Sequence, residues 1–129
     1  MARYIVADDD EEIRSDVAEM IGLAVSGAYT DRVADGAELV KRVLNENYDA
    51  VFTDINMPVK DGLKAAMEIM AARPGVPIYL MSGNPSESVR GIAEALGINH
   101  IVDKASPDFF DIIQEIAKKH AEPTRRAPT

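Results

Sequence analysis

Five residues of this 129-residue chain could together handle a divalent cation and a phosphoryl group, and each stands at or just past the end of a short apolar run. Asp8 and Asp9 follow Tyr4-Ile-Val-Ala7, and Asp54 follows Ala50-Val-Phe-Thr53. Ser82 follows Ile78-Tyr-Leu-Met81, and Lys104 comes just after Ile98-Asn-His-Ile-Val102. Three carboxylates so placed repel one another. At roughly 4 Å and an effective dielectric near 20, each pair costs about 4 kcal/mol, which a cation would remove. Magnesium suits one or two protein carboxylates, several waters and a substrate phosphate. An aspartate can also act as a nucleophile and form an acyl phosphate. A hydroxyl and an ammonium are the donors that phosphoryl oxygens require. Taken singly, each residue has an ordinary alternative. The Asp8–Glu12 acids complement a helix N-terminus, Asp54 starts an Asx-turn, Ser82 starts a loop, and Lys104 is a solvated surface lysine. The set gains meaning only if the runs are parallel strands, because their carboxyl ends then form one ligand-binding edge.

The pattern between the runs predicts that arrangement. Ile13, Val17, Met20, Ile21 and Ala24 form a helical stripe ending at Ser26-Gly27. Residues 28–34 read as a polar second strand, and Asp35 as the N-cap of a helix burying Leu39, Val40, Val43 and Leu44. A helix through Leu63, Met67 and Met70 follows the Pro58–Gly62 loop and stops at Arg73-Pro-Gly-Val-Pro77. Pro85 fits the first turn of a helix running to Leu96 and stopped by Gly97. Residues 98–102 read as the fifth strand. Ser106 and Pro107 open a last helix with Phe109, Ile112, Ile113 and Ile116 on its apolar face. Strict alternation with right-handed crossovers predicts an α/β fold: a doubly wound, five-stranded parallel sheet with five helices.

Composition narrows the function. Apolar residues make up 47% of the chain, enough for the core of one domain over residues 1–120. Residues 121–129 lack periodicity and are expected to be a disordered tail. The net charge of −8 argues against nucleic acid as a partner. There is no cysteine, no membrane-length apolar run and no signal-peptide layout in Met1-Ala-Arg-Tyr4, which fits a cytoplasmic protein that is not membrane-bound.

From residue 2 to about 120, the chain resembles the response-regulator receiver domain of two-component signalling. Asp54 stands in that family's Asp-x-x-Met-Pro-x-x-Asp-Gly pattern, here Asp54-Ile-Asn-Met-Pro-Val-Lys-Asp-Gly62. Asp8-Asp9 matches its acidic pair, Ser82 its Ser/Thr position and Lys104 its lysine. The resemblance implies the flavodoxin-like strand order 2-1-3-4-5. It implies that a histidine kinase or histidine phosphotransfer protein phosphorylates Asp54, with Mg²⁺ held by Asp9, Asp54 and the Asn56 carbonyl and by Asp8 through water. Ser82 and Lys104 would contact the phosphoryl group, and an unidentified downstream protein would read the result. The chain departs from the family at two positions: Ala105 replaces the usual proline after the lysine, and Ile101 replaces the usual aromatic switch residue. His100 is next to that position but one residue off, and in a strand it would face the other way.

Three other readings compete with a stand-alone phospho-acceptor that catalyses only its own phosphorylation and dephosphorylation. A dehalogenase-type phosphatase needs a second aspartate two residues after the nucleophile, where Asn56 stands, and an acidic pair late in the chain. A flavodoxin-like cofactor binder needs a Ser/Thr/Gly-rich first loop, not Asp8-Asp-Asp-Glu-Glu12. A receiver-like binding module that works without phosphorylation is the serious rival, because the aromatic is missing.

Overall fold

A computed structural model describes residues 1–98 and 100–121. Among them, β1 (Arg3–Ala7), β2 (Tyr29–Val33), β3 (Ala50–Asp54), β4 (Ile78–Ser82) and β5 (Ile101–Asp103) alternate with α1 (Glu11–Ala24), α2 (Gly36–Asn45), α3 (Gly62–Ala72), α4 (Glu87–Ala95) and α5 (Phe109–Ala121). The strands form one parallel sheet in the order β2-β1-β3-β4-β5. Parallel strands covered on both faces must be apolar on both, and every residue of β3 is buried. Tyr4, Val6, Phe52, Tyr79 and Met81 turn to one face, against Val17 and Ile21 of α1 and Phe109 and Ile113 of α5. Their neighbours Ile5, Ala7, Val51 and Leu80 turn to the other, against α2, α3 and α4. That is the two-residue alternation of a strand.

Short polar side chains start four of the helices, each satisfying N–H groups that the first turn leaves unpaired. Asp10 accepts from Glu12 and Ile13, Asp35 from Glu38, Asp61 from Lys64, and Ser86 from Val89. The structure differs from the sequence reading at several element ends. Pro85 lies before the Ser86 cap, so α4 is shorter than expected. Its C-terminus explains the late start of β5. Gly97 takes φ 83° and donates to Glu94 O at 3.0 Å, while Ile98 N donates to Ala93 O at 2.8 Å. This paired closure needs a left-handed residue and an apolar contact after it, and Ile98 supplies that contact instead of opening a strand. At α5, Ser106 belongs to a turn before the helix, its Oγ accepting from Asp108 N. Leu44, Met67 and Ile112 are substantially exposed; Ala65, Ala66, Ile69 and Ala117 fill the core positions instead. Ala121, expected to open the 121–129 tail, instead ends α5, and the rest of that tail, 122–129, lies outside the described residues. No helix among the described residues is long and apolar enough to cross a membrane.

A buried acid ties the β1–β2 edge to α2. Asp31 Oδ2 accepts from Tyr48 Oη at 2.5 Å and from Arg3 at 3.1 Å, and lies 3.0 Å from Arg42. Glu46 pairs with both arginines. Burial alone would push the Asp31 carboxyl up, but the hydrogen bonds from Tyr48 and Arg3 and the charge of Arg42 outweigh it and hold it below the usual carboxylate range. Its stabilisation is therefore present above the unfolded value, about 3.9, and is lost as pH falls through the native one. Asp31→Ala leaves both arginines, each about one-third exposed, with Glu46 alone and takes the acceptor from the Tyr48 hydroxyl; it should cost about 1–3 kcal/mol in urea melts. Asp31→Asn should show a shallower loss of stability below about pH 4 than the unsubstituted protein.

Candidate functional site

The carboxyl edge of the sheet gathers all five residues, three of them buried. Asp8 follows β1 and is fully buried, Asp54 ends β3, Ser82 ends β4, and Lys104 follows β5. Lys104 Nζ lies 3.0 Å from Asp8 Oδ2 and 3.2 Å from Asp54 Oδ1. The backbone fixes this placement. Lys104 N donates to Ser82 O at 2.8 Å, and Ile55 N to Met81 O at 3.2 Å; Asp54 and Ser82 are thus the last paired residues of β3 and β4, and Asp8 and Lys104 each lie one residue past the last pair of their strand. Arg14 of α1 donates to the Asp8 carbonyl at 2.8 Å, and Asp10 N to Asp8 Oδ1 at 2.9 Å. Asp9 is exposed at the mouth. Ser82 Oγ accepts from Asn84 N at 3.2 Å. Asn56 lies on the exposed loop two residues beyond Asp54.

One carboxylate oxygen from each of Asp8, Asp9 and Asp54 lies within 4.8 Å of the others. The donors are hard oxygens with no sulfur or imidazole among them, which suits magnesium or calcium and not zinc. Asp8 has one oxygen on the Asp10 amide and the other on Lys104. The least committed oxygens therefore belong to Asp9 and Asp54. Lys104 offsets part of the repulsion expected from the three acids, but one ammonium against three carboxylates leaves an excess of negative charge. The acidic pocket can thus accommodate a cation.

The same crowding tunes the ionisable groups. Burial, and then the negative charge of Asp8, push the Asp54 carboxyl up; Lys104 and the Ile55 N–H only partly oppose them. Burial opposes the charged form of Lys104, yet its hydrogen bond to Asp8 and the charges of Asp54 and Asp8 prevail and hold its ammonium above the usual lysine range.

The loop after Asp54 contains features that the sequence reading assigned no role. Lys60 N donates to Pro58 O at 2.7 Å across Val59, which takes φ 68°. A β-branched residue there is a backbone outlier, closing a rare three-residue turn. Arg14 was likewise not singled out, since a lone helical arginine has no sequence signature. His100 precedes β5 instead of lying within it, and its ring stacks on Tyr79 with centroids 5.5 Å apart. Tyr79 is in the first half of β4, away from the carboxylates. All described peptide bonds are trans, including Lys104–Ala105, as expected without a proline.

Comparison with known proteins agrees with this geometry. The model of the response regulator receiver domain family matches residues 4–117. A protein-glutamate methylesterase/protein-glutamine glutaminase of Haloarcula marismortui is 35% identical over 111 residues, covering 84% of this chain and 27% of that protein. The transcriptional regulatory protein PrrA of Mycobacterium leprae is 29% identical over 127 residues, 98% of this chain and 52% of that protein. The chain thus spans between about a quarter and a half of these relatives. Among solved structures, response regulator TrrA of Thermotoga maritima, in complex with Mg(2+)-BeF, is 31% identical with a TM-score of 0.77 over 93% of this chain and 99% of that one. A CheY-like receiver domain protein of Methanospirillum hungatei has the same fold, with a TM-score of 0.84 at 20% identity over 98% and 99%.

Because the native pKa of Asp54 is raised, its contribution to stability is present below the unfolded value, about 3.9, and lost as pH rises through the native one. Asp54→Asn removes one buried negative charge and leaves Lys104 paired with Asp8. It should therefore raise the metal-free melting temperature at pH 7 by roughly 2–8 °C, the effect of about 1 kcal/mol in a domain of this size. The gain should disappear in melts run below about pH 4. A gain that persists there would mean that relief of charge is not its cause.

Proposed function

This chain belongs to the response regulator receiver domain family, and we propose that it is a phospho-acceptor switch in which Asp54 carries the phosphoryl group. The observation that carries this reading is the Lys104 ammonium held between the buried Asp8 and Asp54 carboxylates. An Asp54 oxygen attacks the phosphorus of a phosphohistidine on a histidine kinase or a histidine phosphotransfer protein. The new O–P bond forms as the P–N bond breaks, and the electron pair stays on the donor imidazole. Asp9, Asp54 and the Asn56 carbonyl, with Asp8 beside them, would hold Mg²⁺, which when bound would supply positive charge to offset that of the transferring group. Lys104 then pairs with a phosphoryl oxygen, and Ser82 donates its hydroxyl proton to another. The likeness to TrrA, whose structure contains Mg(2+)-BeF, supports the metal assignment. The chain catalyses only its own phosphorylation and dephosphorylation, consistent with a family that is generally a non-enzymatic signalling switch.

A second reading, a binding module that works without phosphorylation, is favoured by Ile101 and Ala105, which replace the family's usual aromatic and proline. Incubation with acetyl phosphate and Mg²⁺ followed by intact mass separates the two. Gain of one phosphoryl unit, lost in Asp54→Asn and in chelator, is the expected result. An unchanged mass favours the second reading, and uptake by Asp54→Asn would place the phosphoryl group elsewhere.

The signal leaves through the loop that Ser82 starts. Ser82 Oγ holds Asn84 N, so drawing the hydroxyl toward a phosphoryl oxygen moves the 83–85 segment and α4 behind it. Of α4, only Ala93 is buried. Ile92 on α4 and Ile112 on α5 expose apolar surface, and Ile101 of β5 is half-buried. This α4–β5–α5 face is the proposed output surface. Without an aromatic at 101, the bias should fall short of the roughly 5.5 kcal/mol needed to invert a 1:99 population, and the downstream partner completes the switch on binding. Amide exchange with and without a phosphoryl mimic should change over 82–96 and 98–113; a response centred on α1 or α2 would move the output face.

Asn56 and Asn84 lie on the loops over the strand ends, where neither can act as a strong base but either can position or exclude the attacking water. Charged substitutions at Asn56 or Asn84 should change the phosphoryl lifetime several-fold with little change in melting temperature. Equal lifetimes across such variants would remove both from the rate-setting role.

A further inference from the structure

Two glycines support the site for a reason other than backbone freedom. Gly36 and Gly62 are the first residues of α2 and α3, each following an N-cap aspartate. Neither takes a positive φ; among the described glycines only Gly27 and Gly97 do. What each lacks is room. A Cβ on Gly62 would fall on the Asp54 carbonyl oxygen, with the carbonyl carbon at 2.9 Å and Ile55 Cα at 3.0 Å. A Cβ on Gly36 would fall on the Lys60 carbonyl oxygen, with its carbon at 2.8 Å. Each glycine amide also donates into the segment between β3 and α3: Gly62 N to Ile55 O at 2.7 Å, and Gly36 N to Lys60 O at 3.1 Å. Residues 55–60 are therefore gripped at both ends.

Between the grips lies the strained turn at Val59. Such strain persists only where the surroundings over-determine it. The Lys60 side chain is paired with Glu68 of α3. The far ends of the two helices are joined as well, because Arg73 donates to Leu44 O at 3.2 Å and to Asn47 Oδ1 at 2.7 Å. With α2 and α3 fixed to each other, the two glycine contacts set where the loop sits.

We propose that Gly36 and Gly62 are positioning residues of the phosphoryl site, clamping residues 55–60 so that the Asn56 carbonyl is presented beside the Asp9 and Asp54 carboxylates. The proposal rests on the Mg²⁺-dependent phospho-acceptor reading. A methyl group at Gly36, more than 15 residues from Asp54 in sequence, would push the Lys60 carbonyl away and shift the loop, while every carboxylate and Lys104 stays in place.

The test is Mg²⁺ titration of the full chain followed by amide chemical shifts, which needs no phosphorylation. Gly36→Ala should weaken Mg²⁺ binding by about tenfold, the usual scale for residues that orient metal ligands. It should also shift the metal-free amides of residues 55–61. Ile69→Val, a core change in α3, should lower the melting temperature with no change in Kd, which separates positioning from general destabilisation. Adding Val59→Gly to Gly36→Ala should recover much of the affinity, since glycine lets the turn open and the Lys60 carbonyl retreat. An unchanged Kd in Gly36→Ala would overturn the clamp and leave the phospho-acceptor reading intact; absence of Mg²⁺ binding by the unsubstituted chain would overturn both. Should Gly36→Ala not fold, Val59→Gly alone decides. Unchanged affinity supports a loop held by its ends, and weakened affinity shows that the stiffness of the turn, not the glycines, places it.

Discussion

Two buried carboxylates at the end of a parallel sheet are tolerable only because one ammonium reaches both. Lys104 satisfies Asp8 and Asp54 together, and burial makes each of the three charges depend on the others. The sheet serves that constraint. Its order places β1 and β3 side by side and β4 between β3 and β5, so the acids arise on adjacent strands and the lysine has to reach across β4 to meet them. The lysine stem has the length for this. A shorter cation at 104 would leave the acids repelling, and an apolar residue there would leave them unpaired.

The two sides of the sheet are held differently. On the β2 side, Asp31, the two arginines and Glu46 tie edge strand to helix, Arg73 joins α3 to the end of α2, and Gly36 and Gly62 each hold their helix against the segment after β3. On the β5 side, α4 buries a single alanine and β5 is three residues long. Local stability follows buried contacts, so a disturbance at the carboxylates meets a stiff wall on one side and a compliant one on the other. Ser82 lies on the compliant side. A change in the pocket would therefore be passed toward α4 and β5 rather than toward β2, with no aromatic ring at 101 to swing.

Much of this was legible before any coordinates. The strand ends were, because apolar runs that stop at polar residues mark where a buried strand meets its loop. Asp35 was, because a lone aspartate before an amphipathic stretch has one common use. The Asp54–Gly62 spacing was, through the family it resembles. The extent of β5 was not, since Ile98 reads equally well as strand residue or helix-cap contact and only the Gly97 conformation decides. Leu44 and Ile112 were expected on buried faces and are partly exposed, because hydrophobicity marks a face but not its width. Small residues such as Ala65 and Ala117, which carry little pattern, take the close-packed positions. The roles of Gly36 and Gly62 depend on backbone carbonyls elsewhere in the fold, and no local pattern records a distance between two segments.

The bridge between Asp8 and Lys104 joins residues 96 positions apart, and this span has a consequence for the chain during its synthesis. Asp8 emerges first and Asp54 later, but the ammonium that reconciles them arrives only when the last strand has been made and has docked. Until then the pairing of β1 with β3 brings the two acids together with no shared counter-charge. The acidic pocket is thus completed last although Asp54 appears midway, and a half-folded chain carries the two acids without the ammonium that balances them. An intact pocket becomes a report that the whole sheet has closed.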